Sequence, residues 1–82
     1  MVNYIRDIKL NPPENTQQMF VFDGISNKDG KNRTSFAIVE GENIMKLSKK
    51  SKESYEDYIA KLRTISAELD NFAQFLLEEH II

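Results

Sequence analysis

The chain has no cysteine and no tryptophan, and its 82 residues include a single histidine, His80. Small secreted domains usually rely on disulfides to compensate for a thin core, so we expect a cytoplasmic protein. A zinc site needs several His or Cys ligands at defined spacing, which this composition excludes. His80 lies third from the chain end, where helices fray, so it is a poor general base.

Glycine is also scarce, and no apolar run approaches the ~18 residues of a membrane-spanning helix. The three glycines are isolated from one another, at Gly24, Gly30 and Gly41. They cannot build a glycine-rich phosphate-binding loop. Residues 27–30 resemble part of a calcium loop, but Ile25 and Phe36 occupy positions that require acidic ligands. We therefore predict no metal, no cofactor, no membrane association and no enzymatic activity.

The net charge of −2 hides an uneven distribution along the chain. Residues 28–52 carry seven basic and three acidic side chains, a balance of +4. Residues 53–82 carry two basic and seven acidic side chains, a balance of −5. The chain thus has a basic middle and an acidic end, which offer different surfaces to partners.

Three segments have the composition and alternation of β-strands: residues 2–10, 18–26 and 32–40. In the first, Tyr4 and Ile8 point to one side and Asp7 to the other. Residues 43–48 fit either a fourth strand or the start of a helix, and we favour the strand. The prediction is an α+β fold, in which an antiparallel β-meander of three to four strands over about residues 2–48 precedes one C-terminal helix in a single domain.

The turn at residues 27–30 predicts how the second and third strands pair. Asn at its first position and Gly at its fourth are typical of a type I turn closed by a left-handed glycine. That geometry sets Asn27 opposite Lys31 and predicts an aromatic and aliphatic seam on one face of the sheet. The predicted cross-strand pairs are Phe22 with Phe36 and Phe20 with Ile38.

A run of apolar residues at spacings of three and four predicts a long helix over about residues 52–79. The run comprises Tyr55, Tyr58, Leu62, Ile65, Leu69, Phe72 and Leu76. Ser54 resembles the first residue of a capping box, and Ser51 is an alternative cap. If the helix kinks, we expect the kink at Asp70-Asn71.

Such a helix would be roughly 42 Å long, whereas strands of eight or nine residues span roughly 26–30 Å. We therefore expect its last turns to extend beyond the sheet and to bury their apolar side chains against another protein. A kink that returns these turns to the domain is the alternative. The predicted protein interface consists of Phe72, Phe75, Leu76, Leu77, Glu78 and Glu79, and we expect a homodimer through this helix.

The basic middle of the chain supports a second hypothesis, because single-strand binders combine basic grooves with aromatic platforms. The candidate nucleic-acid contacts are Lys28, Lys31, Arg33, Lys46, Lys49 and Lys50. The order of four strands and a long helix resembles the Whirly and positive-cofactor-four families at the level of topology. That resemblance implies a homodimer that binds single-stranded DNA, although it assigns no residue.

Our leading functional hypothesis is a small protein-binding module that regulates or inhibits a larger partner, such as a nucleic-acid-processing or defence enzyme. Its compact acidic character and its Lys-, Asn- and Ile-rich composition are associated with proteins of phages and mobile elements. The alternatives are the homodimeric single-stranded nucleic-acid binder and a structural or assembly component.

Overall fold

The computed structural model describes residues 3–10, 17–25 and 30–82. These residues form four strands and one helix in the order β1-β2-β3-β4-α1. The strands are β1 (Tyr4–Lys9), β2 (Gln17–Ile25), β3 (Asn32–Glu40) and β4 (Asn43–Ser48), and the helix is α1 (Tyr55–His80).

The strands form one antiparallel sheet in which each is hydrogen-bonded to its neighbours in sequence. This is the predicted α+β fold, with a four-stranded meander followed by a single C-terminal helix. The segment Asn43–Ser48 is the fourth strand and not the start of the helix.

The pairing of β1 with β2 follows the alternation of its side chains. Tyr4 is paired with Asp23 and Ile8 with Met19, so Tyr4 and Ile8 share one face as predicted. Beyond the strands, the backbone N–H of Leu10 donates to the carbonyl of Gln17 at 3.1 Å. This bond extends the ladder one residue past the end of β1.

The predicted register between β2 and β3 is wrong by one residue. Phe22 lies opposite Ser35, Val21 opposite Phe36 and Phe20 opposite Ala37. Both strands carry apolar residues on both faces. A one-residue shift therefore pairs one set of apolar side chains in place of another, and the hydrophobic pattern discriminates only weakly between the two registers. The predicted Phe22–Phe36 and Phe20–Ile38 pairs are absent from this register.

Only part of the turn that motivated this register lies within the described residues. Gly30 has the predicted left-handed backbone, with φ of 71°. Residues 26–29 lie outside the described part of the chain, and with them the predicted pairing of Asn27 with Lys31. Within the described residues, the β2–β3 pairing reaches Ile25 and Asn32.

The β3–β4 connection is a two-residue hairpin between the paired residues Glu40 and Asn43. Gly41 has a φ of 58°, whereas the φ of Glu42 is not positive. Positive φ at the first central position alone is the signature of a type II′ turn, where glycine is favoured. Gly41 therefore sets the geometry that returns the chain antiparallel to β3.

The helix begins after Ser54, whose side-chain Oγ accepts a hydrogen bond of 3.0 Å from the backbone N–H of Asp57. Ser54 is therefore the cap, as predicted, and Ser51 lies in the preceding turn. The helix runs without interruption through Asp70 to His80, so it starts three residues later and ends one residue later than predicted.

The chain comprises two compact units, Met1–Lys50 and Ser51–Ile82. The first contains the sheet and the second contains the helix. At 1.5 Å per residue the 26-residue helix is about 39 Å long, against about 30 Å for the nine-residue strands. The helix is therefore longer than the longest strands, as inferred from the sequence.

Candidate protein interface

The C-terminal half of α1 carries a group of exposed apolar side chains, here called the apolar segment. It consists of Leu69, Phe72, Phe75, Leu76 and Leu77. Leu69 is 56%, Phe72 58% and Phe75 54% exposed, and Leu76 and Leu77 are each 37% exposed. Ile81 and Ile82 continue the exposed apolar surface beyond the helix. Large side chains this exposed and this close together are typical of interfaces.

The helical spacing places most of the apolar segment on one side of α1. Leu69, Phe72 and Leu76 follow the 3,4 repeat of positions a and d, and Phe75 flanks them at position g. The opposite side carries polar residues, among them Asn71 and Gln74. The apolar segment is therefore a stripe and not a scatter of single hydrophobic residues.

The first turns of α1 have a different character, because Tyr58 is only 2% exposed. Lys61 Nζ forms an ion pair of 2.6 Å with Glu53 Oε2 and lies 5.8 Å from the centre of the Tyr58 ring. Burial raises the pKa of Tyr58 above its ordinary value of 10.0, and the negative charge of Glu53 adds to the rise, while Lys61 opposes it. Tyr58 is therefore a buried member of the apolar run, whereas Tyr55 at 45% and the residues of the apolar segment are exposed.

The two predicted acidic contacts lie beside the apolar segment. Glu78 Oε1 accepts a hydrogen bond of 3.3 Å from Gln74 Nε2, one turn earlier on the polar side. Glu79 is exposed and occupies position d, in line with Phe72. All six residues of the predicted interface are exposed. Phe72, Phe75, Leu76 and Glu79 lie along the a/d seam and its g flank, whereas Leu77 and Glu78 lie at positions b and c, outside it. Their contact with a partner remains a prediction.

The predicted interface does not include Leu69, which lies on the same stripe as Phe72 and Leu76 and is 56% exposed. The heptad run contains this residue, so the sequence places it on the apolar side of the helix. The run does not indicate which of its members are buried and which are exposed. Ile81 and Ile82 were omitted because they lie outside the repeat.

Both faces of the sheet carry apolar side chains, and the observed register determines which side chains share a face. One face carries Phe20, Phe22 and Ala37 in the centre, with Arg33 and Lys46 on the same side. We call it the basic sheet face. The edge-strand residues on this face are widely open to solvent, Ile5 at 63% and Ile44 at 67% exposure.

The opposite sheet face carries Met19, Val21, Phe36 and Ile38. In the edge strands β1 and β4, only Ile8 and Leu47 are partly buried, and both belong to this face. The opposite sheet face is also open at the edge strands, where Tyr4 is 56% and Met45 59% exposed.

The structure unites only part of the candidate nucleic-acid site. Arg33 and Lys46 share the basic sheet face, whereas Lys49 and Lys50 follow β4, where Lys49 Nζ donates to the Lys50 carbonyl at 3.2 Å. Lys31 precedes β3. Lys28 lies outside the described residues.

Within residues 3–10, 17–25 and 30–82, no three His, Cys, Asp or Glu side chains are grouped as metal ligands. Over the same residues no helix is long and apolar enough to cross a membrane.

Comparison with protein-family models, with curated proteins and with solved structures finds no match to this chain. Functional inference therefore depends on the surfaces described above.

Proposed function

We propose that this chain is a non-enzymatic protein-binding module that regulates or inhibits its partner through the apolar segment of α1. The observation that carries this proposal is the exposure of Leu69, Phe72 and Phe75, each more than half open to solvent. Aromatic residues that fill a partner's pocket are frequent hot spots of binding energy. An amphipathic helix laid into an apolar groove is a common mode of recognition between proteins.

The charge distribution also favours this surface as the site of partner binding. The unit Ser51–Ile82 contains three basic and seven acidic side chains, a balance of −4. Glu78 and Glu79 adjoin the apolar segment and would form the rim of the contact. An acidic rim favours a partner with a basic groove border, because complementary potentials speed association and reject like-charged surfaces.

The test replaces the apolar segment's central residues with charge. We expect Phe72→Asp combined with Leu76→Asp to weaken partner binding by roughly 30-fold or more, since truncation of a hot spot costs about 2 kcal/mol or more. The matched control is Asn71→Asp combined with Ala67→Asp, which adds the same charge to the polar side of the helix, at exposed positions outside the predicted interface.

The measurement is capture of proteins from host extract, with and without nuclease treatment, by the wild-type chain and both double variants. A partner retained by the control, lost by Phe72→Asp/Leu76→Asp and insensitive to nuclease would support the proposal. Equal capture by all three chains would contradict it.

A second candidate function, single-stranded nucleic-acid binding, has one specific observation in its favour. The basic sheet face sets Phe20 and Phe22 on the same side as Arg33 and Lys46, and bases can stack on aromatic rings while lysine and arginine contact phosphates. Lys46→Glu would then weaken oligonucleotide binding at low salt. Arg6→Glu, on the opposite sheet face, is the matched control. Fluorescence anisotropy over a salt series measures both, and no binding at low salt would exclude this function.

A further inference from the structure

We infer that the outer edge of β4 accepts an extended acidic segment of a partner protein, which adds to the sheet as a fifth, antiparallel strand. This edge belongs to the unit Met1–Lys50, whereas the apolar segment belongs to the unit Ser51–Ile82, so the two surfaces can be tested separately. Three properties of β4 support strand addition: the direction of its backbone groups, its exposure and its charge.

The hydrogen-bond pattern shows which backbone groups of β4 face outward. The backbone N–H of Lys49 donates to the carbonyl of Thr34 at 2.9 Å, so these two residues form a hydrogen-bonded pair. Such pairs alternate with non-hydrogen-bonded pairs along an antiparallel ladder. Every second residue of β4, counted back from Lys49, therefore bonds to β3. The residues between them direct their N–H and C=O groups away from the sheet, and they are Ile44, Lys46 and Ser48.

These outward groups lie on an open edge. β4 is the terminal strand of the sheet, and no further strand pairs with it within residues 3–10, 17–25 and 30–82. Ile44 is 67% and Met45 59% exposed, and Lys46 and Ser48 are exposed as well. Because donors and acceptors alternate along such an edge at the spacing of a strand, their complement is another extended backbone.

The other edge of the sheet, β1, is less suited to strand addition. The backbone N–H of Leu10 donates to Gln17, so the outward-facing residues of β1 are Ile5, Asp7 and Lys9. Charged side chains on an edge strand oppose pairing with another chain. Three of the six residues of β1 are charged, against one of the six residues of β4. β4 is therefore the better acceptor of an added strand.

The charge of the β4 edge selects an acidic occupant. Residues 43–50 contain three lysines, Lys46, Lys49 and Lys50, and no acidic residue. A second copy of β4 would bring the same positive charge to this edge, and like charges on neighbouring strands are destabilising. An acidic strand would instead set carboxylates opposite Lys46 and Lys49, where opposite charges are stabilising.

The two ends of β4 differ, which sets the direction of the occupant. The hairpin end is flanked by Glu40 and Glu42, which oppose a carboxylate there. The same end holds a depression whose lining includes Ile44 and Met45, which suits an apolar side chain. The occupant is therefore acidic near Lys49 and apolar near the hairpin. In the antiparallel arrangement, which is that of the whole sheet, the acidic end of the occupant is N-terminal.

Nucleic acid fits this edge less well than a peptide does. A phosphodiester backbone offers acceptors to Lys46 but has no N–H donors. It would therefore leave the outward carbonyls of β4 unpaired, and unpaired backbone groups are costly away from water. A polypeptide strand supplies a donor and an acceptor at every second residue.

The probe is a fluorescently labelled peptide, Glu-Thr-Val-Glu-Val-Val-Thr. In the antiparallel register its first glutamate faces Lys49, its second faces Lys46, and its last valine faces Ile44. We expect saturable binding to the full-length chain, measured by fluorescence anisotropy at low salt. The reversed sequence is the control for direction and should bind more weakly. Equal or tighter binding of the reversed sequence would overturn the antiparallel direction.

Backbone methylation of the peptide separates strand addition from attraction between charges. A methyl group on the amide of the glutamate opposite Lys46 removes a donor that strand addition requires. We expect it to weaken binding roughly tenfold or more, because a hydrogen bond is lost and the methyl group blocks close approach. The same methyl group on the valine opposite Met45 points away from β4 and should leave the affinity nearly unchanged. Equal effects of the two methyl groups would overturn strand addition.

Proline tests the same edge from the side of the protein. The N–H of Lys46 faces outward, so Lys46→Pro removes no bond to β3 but obstructs the edge. Asp7→Pro makes the same change on β1 and is the matched control, and Lys46→Ala isolates the loss of charge. We expect Lys46→Pro to abolish peptide binding, Lys46→Ala to weaken it and Asp7→Pro to leave it unchanged. Circular dichroism checks that each variant is folded, and wild-type affinity in folded Lys46→Pro would overturn the proposal. The methylated peptides provide the test on the wild-type chain should a proline variant fail to fold.

Two further measurements separate this edge from the other surfaces. Phe72→Asp/Leu76→Asp should bind the peptide as the wild-type chain does, and loss of binding in that variant would assign the peptide to α1. A single-stranded oligonucleotide that binds more tightly than the peptide and loses affinity in Lys46→Ala would assign the edge to nucleic acid. Either result would overturn the proposal for β4. Failure of the peptide to bind would leave capture of a partner by the apolar segment unaffected, so the two proposals fail separately.

Discussion

The hydroxyl of Thr34 donates a hydrogen bond of 2.7 Å to the carboxylate of Asp23, the residue directly opposite it across β2 and β3. The bond is partly buried and joins the two central strands of the sheet. Thr34→Val keeps the branched shape and removes the donor. We expect it to lower the free energy of unfolding by about 1 kcal/mol, measured by urea denaturation.

Asp23→Ala and the double variant complete a thermodynamic cycle for this pair. We expect the two single effects to exceed the double effect by about 0.5–1 kcal/mol, because either change alone removes the shared bond. Strictly additive effects would show that the bond contributes nothing to stability. Asp23→Asn is the control, since its side-chain oxygen still accepts.

The elements of this fold could be predicted because each has a strong local signal. Alternation identified the strands, the 3,4 repeat identified α1, and Ser54 was recognised as its cap. The β2–β3 register could not be predicted, because Phe20 and Val21 are both apolar and adjacent. Either register buries large side chains, so no hydrophobic pattern decides between them.

The candidate interface was predictable in part. The repeat identified Phe72 and Leu76 as members of one apolar stripe. The sequence of such a stripe does not show whether its side chains are buried or exposed. Tyr58 and Phe72 both occupy position d, two heptads apart, yet Tyr58 is buried and Phe72 is 58% exposed. That difference depends on surroundings beyond the helix's own repeat, which a local pattern does not encode.

The cap of α1 gives a prediction with an internal control. Ser54→Ala removes the acceptor of the Asp57 N–H, one of the unpaired donors at the start of a helix. We expect a loss of about 1 kcal/mol in the free energy of unfolding. Ser51→Ala should have almost no effect, because Ser51 lies in the preceding turn. Circular dichroism during urea denaturation measures both variants, and equal losses would contradict the assignment of Ser54 as the cap.

The β3–β4 hairpin depends on the left-handed backbone of Gly41. An added Cβ at Gly41 meets no atom within 4 Å, so Gly41→Ala introduces backbone strain without a steric contact to another residue. We expect a cost of about 1–2 kcal/mol, the usual penalty for an L-residue in this conformation. Glu42→Ala, at the other turn position, is the control and should be close to neutral. The urea midpoint reports the difference, and an unchanged midpoint for Gly41→Ala would exclude the type II′ turn.

Tyr58 predicts a loss of stability at alkaline pH. Burial, reinforced by Glu53, raises the pKa of its hydroxyl in the folded chain above the ordinary value of 10.0. As the pH rises past about 10, the unfolded chain releases this proton first, so the free energy of unfolding falls until the pH reaches the folded pKa. Tyr58→Phe keeps the ring beside Lys61 and removes the titrating group. Lysines also titrate near this pH, so the quantity to measure is the difference between the two chains in urea denaturation from pH 8 to 11. We expect the wild-type curve to fall more steeply above pH 10, and parallel curves would contradict the raised pKa.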